Sequence, residues 1–102
     1  MLVKNKACSL SEYAVFETRQ FERNLRRLAR AGQPTVVSKL RRIVYPQLRR
    51  NPHYGPHVRK LRNYSPETWR YRIGAWRFFY EIDESDRTVF MIAASHRGSA
   101  YQ

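Results

Sequence analysis

The chain has 102 residues and a mass of 12.3 kDa, which is enough for one small domain with a single hydrophobic core. Apolar residues make up 42% of the sequence, so the composition is that of a folded protein and not of a disordered one. Lys and Arg number 20 against 8 Asp and Glu, which gives a net charge of +12. Thirteen of the basic residues and a single acidic one lie between Arg19 and Arg62, so we expect this segment to meet a polyanionic partner.

Several classes of protein are excluded by the same sequence. No apolar run approaches the ~18 residues of a membrane-spanning helix, and the N-terminus lacks the apolar region of a secretory signal. Cys8 is the single cysteine, so no intrachain disulfide can form, which suits a reducing cytoplasm. We therefore predict one cytoplasmic domain over residues 1–102, with residues 1–11 as a loosely ordered extension.

The N-terminal half predicts a strand followed by a helix. Residues 12–17 are short and rich in strand-forming side chains, and Thr18 can cap a helix that begins at Arg19. The apolar residues of this helix fall on one stripe, at Phe21, Leu25, Leu28 and Ala29.

A second helix is predicted directly afterwards. Gly32 suits the left-handed end of the first helix, and Pro34 suits the first turn of the second. Because Pro46 has no N–H, we expect the second helix to end or kink near Tyr45. The two helices form a hairpin with its arginines outward. The buried side of the second helix is predicted at Val37, Leu40, Val44 and Leu48.

The C-terminal half predicts three strands after a loop at residues 51–56. Residues 69–73 and 76–82 alternate between apolar and polar positions around a Gly74–Ala75 turn, and residues 88–94 are apolar on both faces. The element order is then β-α-α-β-β-β. This order predicts an α+β domain in which a helical hairpin packs on a small antiparallel sheet.

Three arginines are predicted to share one face of that sheet. Arg70, Arg72 and Arg77 fall opposite the aromatic positions of their strands, and the short turn holds the two strands side by side. Planar guanidinium groups bind phosphate oxygens in pairs, so the cluster favours a phosphate site. The alternative is a solvated face on which Glu81 and other carboxylates neutralise the charge.

No metal or other cofactor is expected. His53 and His57 have the spacing of two zinc ligands, but they lie in a loop rich in Pro and Gly, with no carboxylate between them. His96 directly follows the last predicted strand, where a histidine is either a proton-transfer group or an ordinary surface residue.

The segments WRYRIGAWRFFYEID (69–83) and VFMIAASHRGSAY (89–101) resemble the RelE/ParE toxin superfamily. They resemble its hairpin pattern R-x-R-x-G-x-[YW]-R-x-x-Y-E-I and its tail pattern H-R-x-x-x-Y. The segment NPHYGPHVRKLRN (51–63) is similar to the linker of that family, and the element order agrees. The resemblance covers residues 13–101 and implies the toxin of a type II toxin–antitoxin pair.

The RelE-like branch implies an endoribonuclease that cleaves mRNA in the ribosomal A site, without a metal, by attack of a 2′-OH on the adjacent phosphate. By resemblance, Arg77 stabilises the transition state, with Arg70 as a second cation. Tyr101 stacks on or orients the substrate, and His96 or Arg97 donates a proton or grips phosphate.

The proton acceptor is the point at which this sequence departs from the family. Arg70 stands where the founding branch has a lysine, and arginine is a poor base because it keeps its proton to about pH 12. His96 is then the expected proton shuttle. Glu81 is a possible substitute, although we interpret it as a partner of Arg72 or Arg70.

The resemblance also implies two kinds of partner: an acidic antitoxin, and the ribosome with its mRNA. The alternatives are a ParE-like inhibitor of DNA gyrase and a non-enzymatic nucleic-acid-binding protein; the His96 to Tyr101 tail favours the nuclease. The expected RNA-binding residues are Arg72, Arg59, Lys60, Arg62, Arg26, Arg27, Arg41 and Arg42.

Overall fold

The structure is a computed structural model that describes residues 12–96. Two helical segments form a hairpin on one face of a five-stranded sheet, so the predicted α+β class is confirmed. No helix within the described residues has the length and apolar character that a membrane crossing requires. The elements are β1 (Ala14–Glu17), α1 (Arg19–Arg30), α2 (Pro34–Lys39), a π-helical turn (Leu40–Val44), α3 (Tyr45–Arg50), β2 (Val58–Lys60), β3 (Trp69–Ile73), β4 (Trp76–Asp83) and β5 (Thr88–His96).

The sheet differs from the prediction in two respects. Its strand order is β1-β5-β4-β3-β2, and β1 pairs with β5 in parallel, so the sheet is mixed and not purely antiparallel. The edge strand β2 was not predicted, because three residues are too few to show an alternating pattern. The last strand, β5, which is apolar on both faces, is an interior strand between β1 and β4.

The first helix follows the prediction closely. The Thr18 hydroxyl caps it by accepting a hydrogen bond from the Phe21 N–H, and Gly32 follows its end with a φ of +85°. Phe21, Leu25 and Leu28 are buried, whereas Ala29 is exposed, so the apolar stripe is narrower than predicted.

The second helix does not end at Tyr45, but a π-helical turn directly before Pro46 interrupts its α-helical geometry, so of the predicted end or kink the structure has an irregularity. Its π-helical turn directs the Tyr45 N–H to the carbonyl of Leu40, five residues earlier, and the helix then continues through Pro46 to Arg50. Because Pro46 has no N–H to donate, a widened turn before it accommodates the ring while the helical path continues. Leu40, Val44 and Leu48 are buried as predicted, and Val37 is half-buried.

The hydrophobic core lies between the helices and one face of the sheet. Phe78 and Tyr80 of β4 are fully buried there, together with Val89 and Met91 of β5. The Tyr80 hydroxyl donates to the carbonyl of Pro52 at 2.7 Å, which attaches the loop after α3 to the sheet. The helices therefore occupy one side of the sheet, and we call the other side the distal face.

A β-bulge changes the alternation along β5. Phe79 pairs with Ala93 and Tyr80 with Met91, so one additional residue, Ile92, lies between the two pairs on β5. Beyond this bulge, Ala94 packs against the core and Ser95 takes the distal face. The bulge therefore determines the face on which each residue near the end of β5 lies.

Candidate nucleic-acid interface

Four arginines of three neighbouring strands lie together on the distal face. Arg72 of β3 is paired directly with Arg77 of β4, and Arg70 of β3 is paired directly with Arg59 of β2. The strand alternation that buries Tyr71 against the helices is what directs these side chains to the other side. We call Arg59, Arg70, Arg72 and Arg77 the arginine cluster. The predicted grouping of Arg70, Arg72 and Arg77 is present in the structure.

No member of this cluster forms an ion pair within residues 12–96. The ion pairs of this part of the chain lie elsewhere, between Arg41 and Glu17, His53 and Glu84, and Lys60 and Glu67. The alternative expectation of a charge-neutralised face is therefore not met in the described part of the protein.

Polar atoms at the centre of the cluster lack hydrogen-bond partners. The Nε atoms of Arg70 and Arg77 are buried and form no hydrogen bond within residues 12–96. The same is true of the Oγ of Ser95, a residue that is paired with Arg77 across the strands. Burial, together with the charges of Arg59, Arg72 and Arg77, lowers the pKa of Arg70 from its ordinary value. An anion seated among these groups would supply the missing acceptors and relieve the repulsion.

Glu81 lies on the distal face but does not belong to the cluster. It is four residues from Arg77 along β4 and is paired across the strands with Phe90 of β5. In the described chain, Glu81 forms no ion pair with any arginine. The interpretation of Glu81 as a partner of Arg72 or Arg70 is therefore wrong.

His96 does not join the arginines. It is the last residue of β5, where the bulge places it opposite Trp76. The two rings meet edge to face, with their centroids 4.9 Å apart. A pocket on this helix-facing side is lined by both rings and by Asn24 and Arg27 of α1. His96 was expected to serve as the proton shuttle, but its ring lies on the opposite side of the sheet from the arginine cluster. Arg97 and Tyr101 lie outside the described residues.

The remaining basic residues predicted to bind RNA are divided between the two sides of the molecule. Arg59 belongs to the cluster, whereas Lys60, next to it in β2, pairs with Glu67 at 2.7 Å, and Arg62 is exposed in the loop that follows. The other four are exposed on the helical layer, and one of them, Arg41, is held by Glu17. These four are Arg26, Arg27, Arg41 and Arg42.

Two members of the site were missed from the sequence. Ser95 has no distinguishing pattern, because its face depends on the bulge. Arg59 was expected only as a general RNA contact, because its place beside Arg70 depends on the short strand β2. The geometry defines a small α+β protein with a concentrated cationic site on the side of its sheet that faces away from the helices.

Comparison with known proteins supplies the family. A family model described as the ParE toxin of the type II toxin–antitoxin system parDE matches residues 15–101, so the chain belongs to this family of toxins. The resemblance to the RelE/ParE superfamily is thereby confirmed, and the protein is a toxin of the type II toxin–antitoxin class. No curated protein sequence matches the chain.

Solved structures share the fold over nearly their whole length. The RelBE2 toxin–antitoxin complex of Mycobacterium tuberculosis contains a chain 26% identical, with a TM-score of 0.67 over 89% of this chain and 98% of that one. A chain of the RelE–RelB complex from Pyrococcus horikoshii is 22% identical, with a TM-score of 0.62 over 87% of this chain and 99% of that one. A conserved hypothetical protein of Helicobacter pylori is 14% identical, with a TM-score of 0.59 over 84% of this chain and 96% of that one. The last two establish the fold alone.

Proposed function

We propose that this toxin is an endoribonuclease that cleaves mRNA on the ribosome and thereby inhibits translation, with the arginine cluster as its phosphate-binding site. The observation that carries the proposal is that none of the four arginines forms an ion pair within residues 12–96, together with the unpartnered Nε atoms of Arg70 and Arg77. Like charges on neighbouring strands destabilise a sheet, so their retention without neutralisation indicates that an anion binds there.

In the proposed reaction, the 2′-oxygen of the RNA attacks the adjacent phosphorus and the bond to the 5′-oxygen of the next nucleotide breaks. The products are a 2′,3′-cyclic phosphate and a 5′-hydroxyl. Negative charge accumulates on the phosphorane oxygens, and Arg77, between Arg72 and Ser95 on the sheet, is placed to stabilise it. Arg70 supplies a second cation and helps to hold the phosphate in line for attack.

His96 is not assigned the proton transfer, because its ring lies on the helix-facing side of the sheet. The 2′-OH gives up its proton to solvent water, and the leaving 5′-oxygen takes a proton from water. Arg97 and Tyr101 keep their proposed roles in gripping phosphate and orienting the substrate. Arginine is too basic to accept the 2′-OH proton near neutral pH, so the cluster contributes through charge and positioning.

The exposed arginines of the helical layer have a separate proposed role. Arg26, Arg27, Arg41 and Arg42, with Lys60 and Arg62 at the β2 edge, would bind phosphates of ribosomal RNA. Such contacts are independent of sequence and weaken steeply as salt increases. They would hold the toxin on the ribosome while the arginine cluster engages the mRNA.

An acidic antitoxin is the proposed partner that keeps the toxin inactive. Two of the similar structures are complexes of a toxin with its antitoxin. A net charge of +12 favours an acidic, partly disordered partner that folds as it binds.

A second candidate function is inhibition of DNA gyrase through protein binding. The observation that favours it is the description of the matching family, which names the ParE toxin of parDE. This function would not require the arginine cluster to bind RNA, so the two candidates predict different consequences of a change at Arg77.

The decisive experiment compares wild type and Arg77→Ala, each purified away from a co-expressed antitoxin, in a translation reaction. Wild type should cleave mRNA within codons and leave 2′,3′-cyclic phosphate and 5′-hydroxyl ends. Loss of one donor to the transition-state charge should slow cleavage by about 100-fold or more. Arg23→Ala, which removes an exposed arginine of α1, should cleave at the wild-type rate.

Intact mRNA together with inhibited gyrase supercoiling would refute the nuclease and support the second candidate. If mRNA is cut but the rates of wild type and Arg77→Ala are equal, the catalytic assignment of the cluster is wrong.

A further inference from the structure

The distal face continues past the arginine cluster to an aromatic end on β5 and β1. Phe90 and Phe16 are paired across these strands, and their rings meet edge to face with centroids 5.6 Å apart. Phe16 is 55% exposed although it is a large apolar residue on an edge strand. An exposed aromatic pair on the same face as a cationic cluster is the combination that single-stranded nucleic acids bind, with phosphates on the cations and bases on the rings.

A carboxylate lies between the two parts of this surface. Glu81 is paired with Phe90 across the strands. Along β4 it is two residues from Phe79, the residue opposite Arg70, and four residues, about 13 Å, from Arg77. It is half-buried, and its carboxylate forms no ion pair with another described residue. Along this surface, the four arginines are followed by the carboxylate of Glu81, which can only accept hydrogen bonds, and then by the two aromatic rings.

This arrangement fixes where the parts of a nucleotide strand can lie. A phosphate is attracted by the arginine cluster and repelled by Glu81, so the backbone stays at the cationic end. A base that stacks on Phe16 or Phe90 brings its Watson–Crick edge, free in single-stranded RNA, within reach of the carboxylate.

Guanine is the base whose edge matches that carboxylate. An ionised carboxylate accepts two parallel hydrogen bonds, and guanine alone presents two adjacent donors, N1–H and N2–H. Adenine and cytosine each offer one amino group beside an acceptor, and uracil offers N3–H between two carbonyl oxygens that repel the carboxylate.

We propose that Phe16, Phe90 and Glu81 form a guanine-binding site for the RNA strand whose phosphate lies on the arginine cluster. The proposal rests on RNA binding as described under the proposed function, and it adds a base preference that the arginines cannot supply. Phe16 and Phe90 would provide affinity for any base, and Glu81 would provide the selectivity.

The test uses the full-length toxin and fluorescein-labelled 2′-O-methyl heptauridylates, which cannot be cleaved, with guanine, inosine, adenine, cytosine or uracil at the centre. Fluorescence anisotropy should show the guanine oligonucleotide binding at least about fivefold more tightly than each of the others. Inosine lacks only the N2 amino group, so it isolates the second hydrogen bond.

Two variants separate stacking from selectivity. Glu81→Gln should abolish the preference for guanine over inosine, whereas Glu22→Gln, an exposed change on α1, should retain it. Phe16→Ala should weaken binding of all five oligonucleotides by about fivefold or more and leave their order unchanged. Circular dichroism melting of each variant confirms that it is folded.

The outcomes distinguish this proposal from the proposed function. Binding that depends on Arg77 but shows no guanine preference, or a preference that persists in Glu81→Gln, overturns the guanine site and leaves the phosphate site standing. Unchanged binding by Phe16→Ala overturns the stacking surface. If wild type binds none of the oligonucleotides, both the site and RNA binding by the cluster are refuted. A guanine preference in a protein that cleaves no mRNA refutes only the nuclease.

Discussion

Removal of one arginine from the cluster should stabilise the fold. Arg70 is directly opposite Arg59, and the charges of Arg72 and Arg77 also act on it. Each like-charged pair on neighbouring strands costs roughly 0.2–1 kcal/mol, so Arg70→Met should raise the free energy of unfolding by about 1 kcal/mol at low salt. Methionine keeps the apolar stem of the side chain and removes the unpartnered Nε atom. For a domain of this size the corresponding rise in Tm is roughly 4–8 °C.

The assay is urea unfolding of both proteins at about 0.01 M and 1 M salt, where the screening length falls from about 30 Å to 3 Å. The gain from Arg70→Met should shrink at high salt. Arg50→Met removes a charge from the last turn of α3, away from the cluster, and should give no stabilisation, because a cation there interacts favourably with the helix end. A neutral or destabilising effect of Arg70→Met at low salt, or a gain that salt does not reduce, would refute the view that the cluster is electrostatically unfavourable without its ligand.

Two further predictions concern the loops that border the sheet. Tyr80→Phe leaves the buried carbonyl of Pro52 without its hydrogen bond, so the free energy of unfolding in urea should fall by about 1–3 kcal/mol. Tyr54→Phe, at an exposed ring, should not change it measurably. Equal effects of the two variants would contradict this reasoning. Hydrogen bonds lower the pKa of Glu84, and the bond from Tyr13 has the largest effect. The ionised Glu84 therefore stabilises the fold above its unfolded-state pKa, and this stabilisation is lost as the pH falls through the lowered pKa. Glu84→Gln should therefore lose less stability than wild type between pH 5 and 3 in thermal melts, and parallel curves would exclude this role.

The sequence predicted those parts of the fold that depend on local patterns. Alternation in residues 69–73 and 76–82 placed the arginines on one face, and the structure has β3 and β4 over 69–73 and 76–83. Thr18 and Gly32 marked the limits of the first helix correctly, because a cap and a left-handed residue act within a few positions. The cationic site could be predicted for the same reason.

The features that were missed depend on pairing between distant segments. A three-residue strand such as β2 is defined by its hydrogen bonds to β3, and the parallel pairing of β1 with β5 joins opposite ends of the chain. The bulge at Ile92 shifts the alternation by one residue, so counting in twos from Met91 assigns His96 to the wrong face. Pro46 indicated an irregularity near Tyr45, but not that the helix continues to Arg50, which depends on how the surrounding helix is held in place.

The two-layer architecture explains how a cluster of uncompensated arginines can persist. The buried hydrophobic cluster lies between the helices and the opposite side of the sheet, so replacing a residue of the arginine cluster does not alter the packing of Phe21, Leu40 or Met91. Selection on stability alone would place carboxylates beside these arginines, as it does for Arg41 and Lys60 elsewhere in the described chain. The lack of such ion pairs at the cluster, among residues 12–96, is therefore better explained by a requirement of binding than by a requirement of folding.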